Sequence, residues 1–173
     1  RNALLSFQTP LLYLSVSRKH KSPERNDYKM IEQDTVKLLR ECNAGIKMGV
    51  QSIDDLLPKA EDDRLKDTLS QSKQEHEKLG NQTHELLNEF HDEGKEPHPV
   101  AKGMSWMKTN MKMAMEETDH TIADLITDGC NMGVKSLSRY LNQYAAADEQ
   151  SKDITKKLIR IEEDLAVKMR DYL

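Results

Sequence analysis

From Leu38 onward, apolar and small residues recur three and four apart in four separate stretches of this chain. Leu38, Cys42, Gly45, Gly49, Ile53 and Leu56 form the first stripe. That spacing puts them on one face of a helix expected over about Met30 to Leu57. Pro58 stops it and "PKAEDD" turns the chain, because the residue before a proline is pushed out of the helical region. The second stripe is Leu65, Leu69, Ser72, His76, Leu79, Thr83, Leu86 and Phe90, on a helix expected over roughly 62–91 that Gly94, Pro97 and Pro99 end. A third helix, from near Met115 to Tyr144, carries Thr118, Ile122, Leu125, Gly129, Gly133, Leu137, Tyr140 and Tyr144, with Ile126 and Cys130 flanking. "AAADEQS" leads into a fourth over roughly 149–173, with Ile154, Leu158, Ile161, Leu165 and Met169.

The connections set the topology. Short turns make the first two helices, and the last two, antiparallel pairs. The middle link, "HDEGKEPHPVAKGMSWMKTNMKMAM", is long enough to cross a whole bundle. The second and third helices would then run parallel, and the first and third antiparallel. Within the link, Met104, Met107, Met111 and Met115 share one side of a short amphipathic piece beside Trp106. That spacing fits a greasy face docked on the bundle better than soft-metal binding through thioethers.

A repeat runs through these helices. Cys42-Asn43-Ala44-Gly45-Ile46-Lys47 returns as Cys130-Asn131-Met132-Gly133-Val134-Lys135, each copy in the middle of the first helix of a hairpin. Two hairpins of one design predict an all-α, antiparallel four-helix bundle with an internal two-fold. Gly45 and Gly49, like Gly129 and Gly133, lie four apart on the side to be buried. Each glycine costs about 1 kcal/mol relative to Ala inside a helix. Close approach of the first and third helix backbones at the two-fold would offset that cost.

Composition agrees with a helical domain: 32% of residues are charged and only 5% aromatic, too few aromatics for a large sheet. A net charge of −4 without a basic, aromatic-interleaved stripe predicts no nucleic-acid or membrane partner. Two cysteines inside expected helices make no secreted disulfide framework and point to the cytoplasm. Residues 1–29 hold a brief apolar run broken by Pro10, with positive charge after it. This is the reverse of a signal peptide. The expectation is a disordered extension over 1–29 and a folded domain over 30–173.

Candidate chemistry lies in the middle of the bundle. Equal counts back and forward from each turn put Cys42 level with His76, and Cys130 level with Glu162 or Glu163. One layer would then hold two thiols, an imidazole and a carboxylate, all of which can ligate zinc or iron. The competing reading is a buried cysteine acting as a small hydrophobe and a core His76 hydrogen-bonded to Asn43 or Asn131. His91 and His98 have no matching ligands at usable spacing, and no phosphate loop, nucleophile elbow or zinc-protease motif is present.

A helical hairpin repeated about a two-fold, with a long link between, resembles the ferritin-like superfamily. Asn43-Ala44-Gly45 matches the polar-polar-Gly motif of a bacterial ferritin-like family of unassigned role (domain of unknown function 2383), with Ala44 departing from it. Asp62-Asp63-Arg64-Leu65-Lys66 matches that family's "D-x-x-L-K" helix start. The resemblance covers about residues 30–173 and implies a stress- or spore-related bacterial assembly. It also implies Glu-x-x-His metal ligands. Glu117-Thr118-Asp119-His120 is the one such run, but it stands at the start of the third helix, off the apolar stripe, where an exposed acidic first turn is the plainer reading. The sequence thus supports a non-catalytic bundle acting by self-association, as a homo-oligomer, or through a protein partner. The alternative is a metal-binding (iron or zinc) or oxidoreductase member using His76, Cys42, Cys130 and Glu162. A third reading is an exposed coiled-coil adaptor.

Overall fold

The computed structural model describes residues 23–97 and 118–173, and among them it contains no strand. Four long helices make up the described residues: α1 (Pro23–Leu56), α2 (Asp63–Glu89), α3 (Asp119–Gln143) and α4 (Glu149–Met169). Helix α1 starts at Pro23, ahead of the expected Met30. Proline suits the first helical position, while residues 27–33 are all exposed, so no buried stripe marks this stretch in the sequence. The Met-rich segment 104–115 and Glu117 lie outside the described residues.

Polar side chains set the helix starts. Asp62 accepts the Arg64 and Leu65 amides at the head of α2, Thr118 accepts the Thr121 amide, and Asp148 accepts the Ser151 amide. Such caps contribute about 1 kcal/mol each. The hydrogen bond from the Leu65 N–H, foremost, holds the Asp62 carboxyl below its usual range. Thr118 has extended backbone, so α3 begins after it and not at the expected Met115. Pro58 falls in a 3-10 turn over Leu57–Lys59, and α4 closes with another over Arg170–Tyr172.

Hydrogen bonds at both ends fix the helix directions. At one end the Ala146 amide donates to Asp34 (3.3 Å) and the Asp148 amide to Thr35 (2.9 Å). At the other, the Glu61 and Asp62 amides donate to the two oxygens of Asp119 (2.8 and 2.9 Å), and the Tyr172 hydroxyl donates to Asp62 (3.1 Å). Helix α1 therefore runs antiparallel to α2 and α3 and parallel to α4. Helices α1 and α4 pack against each other as well as against both remaining helices, while α2 and α3 occupy opposite corners. Residues 92–96 fold back on α1 through ion pairs Arg40–Asp92 (3.7 Å), Glu41–Lys95 (2.6 Å) and Lys47–Glu96. Pro97 thus lies alongside the middle of α1, near Lys47, while Thr118 stands at the end where the α1–α2 turn lies; the expected crossover falls on residues 98–117, outside the described residues.

Two apolar clusters form the core. Ile53, Leu56, Leu65, Leu69, Ile122, Ile126, Leu165 and Met169 pack at the end where the α1–α2 turn lies. Leu39, Cys42, Ile46, Leu79, Leu87, Leu137, Ile154 and Leu158 pack at the other. At roughly 25 cal/mol per Å² of apolar surface removed from water, these side chains supply the main driving force of folding. Between the clusters every helix departs from aliphatic residues at one level, and that level is the candidate site.

Candidate functional site

Gly49 of α1, His76 of α2, Gly133 of α3 and Glu162 of α4 meet between the two clusters. His76 is 1% exposed and Glu162 8%. The imidazole Nδ1 lies 2.8 Å from the Ser72 carbonyl oxygen, and Nε2 lies 3.3 Å from Glu162 Oε1. The Ser72 carbonyl oxygen can only accept, so Nδ1 carries a hydrogen, and a second hydrogen on Nε2 facing the Glu162 carboxylate would give the imidazolium form that this geometry favours. Burial alone would drive the His76 proton off. The hydrogen bond and charge of Glu162, with help from the Ser72 carbonyl and Glu75, outweigh it and raise the group above its ordinary value.

The glycines make room for this pair. A Cβ on Gly49 would stand 3.1 Å from His76 Cδ2 and Nε2, and one on Gly133 would stand 3.3 Å from the Glu162 carboxyl carbon. Gly45 instead faces a Leu158 methyl at 3.9 Å, and around Gly129 there is open space. The expectation that the four glycines let the first and third helix backbones touch is therefore corrected. Two of them accommodate large polar side chains of α2 and α4.

Of the expected ligands, His76, Glu162 and Cys130 come together and Cys42 does not. Burial, then the charge and hydrogen bond of Glu162, push the Cys130 thiol up. Cys42 bonds Thr155 at 3.1 Å within the other apolar cluster. Thr155 and Glu162 are two helical turns apart on α4, a separation of about 10 Å. The level assigned to Cys42 is thus corrected by two turns: Gly49 faces His76, Ile46 faces Gly80, and Asp54 pairs with Lys73. The cause is the connector. Residues 57–59 continue as a 3-10 turn and Ala60 is extended, so α2 starts beyond the end of α1 and equal counting fails. The turn between α3 and α4 is tighter, and there the count places Cys130 and Glu162 correctly.

His76 does not reach Asn43 or Asn131, since Ser72 and Glu162 take both its nitrogens. Ser72 stands four residues before His76 on the same stripe, the one signal that could have found it. Nothing in the sequence singled out Thr155. His120 is exposed and bonds the Tyr172 carbonyl oxygen (3.1 Å), away from the mid-bundle layer.

The donor set does not suit the di-iron centre that the ferritin-like resemblance implies. The layer holds a single carboxylate, and both His76 nitrogens are already engaged. Among the described residues, no three His, Cys, Asp or Glu side chains are arranged to hold a metal ion. Both cysteines are free and buried. Burial pushes Cys42 up to about 12, with the Glu41 charge adding and the Thr155 bond opposing. Thiols held protonated in this way are poor nucleophiles.

Among the described residues, fold and site together make four packed helices around a buried polar layer. Among the described residues no helix is long and apolar enough to cross a membrane. No family model, curated protein or solved structure matches the chain.

Two predictions follow from the layer. Gly49→Ala should destabilise the protein by about 1–2 kcal/mol, because crowding His76 outweighs the roughly 1 kcal/mol gain in helix propensity. Gly129→Ala, with open space around it, should stabilise it by up to about 1 kcal/mol; urea unfolding of both variants decides. The second prediction concerns pH. A histidine whose native pKa is raised contributes stability that is fully present below its unfolded value, about 6.5, and lost as pH rises through the native value. The melting temperature should fall on going from pH 6 to pH 9, and His76→Gln should flatten that dependence.

Proposed function

We propose that this protein is a non-catalytic helical bundle of ferritin-like type, acting by association with itself or with a protein partner. The helix directions support the ferritin-like arrangement, and the matches at Asn43-Ala44-Gly45 and Asp62–Lys66 support kinship with the bacterial family named above. The sealed His76–Glu162 layer supports a structural role for the residues that most resembled a reactive site.

One observation carries the association reading. Helix α1 runs on past the rest of the fold, and its first described side chains bury nothing. Tyr28 is 73% exposed, Met30 50% and Ile31 39%. Tyr28 and Ile31 sit three and four residues apart in line with Thr35 and Leu38, so the buried stripe of α1 continues along a projecting arm. A helical arm of this length is marginal alone in water, and a partner laid along the stripe would stabilise it.

Sedimentation velocity over a concentration series tests this. The wild-type chain should form a dimer or larger species, or bind a partner, and Tyr28→Asp with Ile31→Asp should abolish that without lowering the melting temperature of the body. A protein that stays monomeric to millimolar concentration, and whose partner capture is unchanged by the double substitution, would contradict it.

A further inference from the structure

A cavity of about 900 Å³ lies along the outer side of α1 and α2. Ile46 and Val50 of α1 form its aliphatic floor, and Gly80 of α2 deepens it: a Cβ there would stand 3.1 Å from the Ile46 Cγ2 methyl. From Asn43 to Asp55 the cavity follows α1 for about 18 Å. Residues 92–96 lie across its Asn43 end, where Gly94 runs so close that a Cβ would stand 2.8 Å from the Asn43 side-chain oxygen.

Negative charge stands at both ends of this trough. Glu93 and Glu96 line the Asn43 end, while Glu77, a turn beyond Gly80, and Asp55 line the other. Lys47 pairs with Glu96. Lys73 lies 3.7 Å from Glu77 but pairs more closely with Asp54, at 2.6 Å. Among the described residues the lining therefore keeps an excess of carboxylates on either side of an apolar floor.

Asn43 adds an observation independent of the acids. It is 6% exposed, it lines the closed end, and its Oδ1 has no hydrogen-bond partner among the described residues. A buried acceptor left without a donor costs free energy. A donor arriving from the cavity, toward which this amide can turn its oxygen, would remove that cost.

We propose that the trough binds a linear aliphatic polyamine, with ammonium groups at Asn43 and at the carboxylates of both ends and methylenes on Ile46, Val50 and Gly80. Each part of the lining selects for that chemistry. An ammonium supplies hydrogen-bond donors and no acceptor, which suits carboxylates and an orphaned amide oxygen alike. The methylenes gain from burial on an aliphatic floor. A metal ion fits poorly, because the carboxylates are strung along the trough. Among the described residues no three His, Cys, Asp or Glu side chains converge on one point. This inference is independent of how the protein associates through its α1 arm.

Isothermal titration calorimetry of the full chain with spermine at physiological ionic strength provides the test. Spermine should bind at a single site, and the short diamine putrescine, which cannot reach both ends, more weakly. Asp55→Asn with Glu77→Gln, both exposed positions, should weaken spermine binding by about tenfold, as the loss of a pair of surface ion contacts would. Asn43→Ala should weaken it as well. Glu85→Gln with Glu163→Gln removes the same charge from exposed positions outside the trough and should leave the affinity unchanged. Absence of spermine binding, equal affinity for putrescine, or an affinity that neither the Asp55 and Glu77 variant nor Asn43→Ala changes would each overturn the assignment. An equal loss in the two double variants would overturn it too, by showing attraction to the overall negative charge alone.

Discussion

The contact between His76 and Glu162 is the costliest element of this core and the one around which its parts are arranged. An ion pair taken out of water loses several kcal/mol of hydration per charge, and only good geometry with further hydrogen bonds offsets it. The Ser72 carbonyl provides one such bond, and Gly49 and Gly133 provide the space. Removing one member of such a pair typically costs about 3–5 kcal/mol, although an apolar replacement of both can be neutral. What an apolar pair would lack is register. If α2 slid one turn along α4, His76 would face Leu158 or Leu165, and a buried charge would stand against an aliphatic chain.

Much of the fold was legible in the sequence because helical burial is periodic. The stripes through Leu65–Phe90 and Ile154–Met169 located α2 and α4 to within a turn, and His76 announced itself by lying on one. The facing of Cys130 and Glu162 was also legible, because the α3–α4 turn reverses the chain tightly. Cys42 was misplaced because counting assumes that a turn adds no axial travel, and residues 57–62 do travel. The purpose of the glycines was hidden for a different reason. A glycine shows that something needs room, but not which neighbour fills it.

The repeated hexapeptide is instructive on the same point. Cys42 and Cys130 occupy matching places in it, yet Cys42 bonds the Thr155 hydroxyl of α4 in one apolar cluster while Cys130 belongs to the other, near the Glu162 charge. Near-identical local sequence has been set in unlike surroundings because α1 and α4 touch diagonally, whereas α2 and α3 stand apart. Asn43 diverges from Asn131 in the same way. The first is buried beside Gly94, a residue with φ of +85°, while the second is exposed to solvent.

The bonds at the extremities have a consequence for how this molecule comes apart. Helical hairpins usually fray from their tips, where backbone groups lack partners. Here the bend between α1 and α2 is anchored to the first residue of α3 and to the penultimate residue of the chain, and the bend between α3 and α4 is anchored to α1. Neither hairpin can open at its loop without first letting go of the other, so the two halves are bound to melt as one unit.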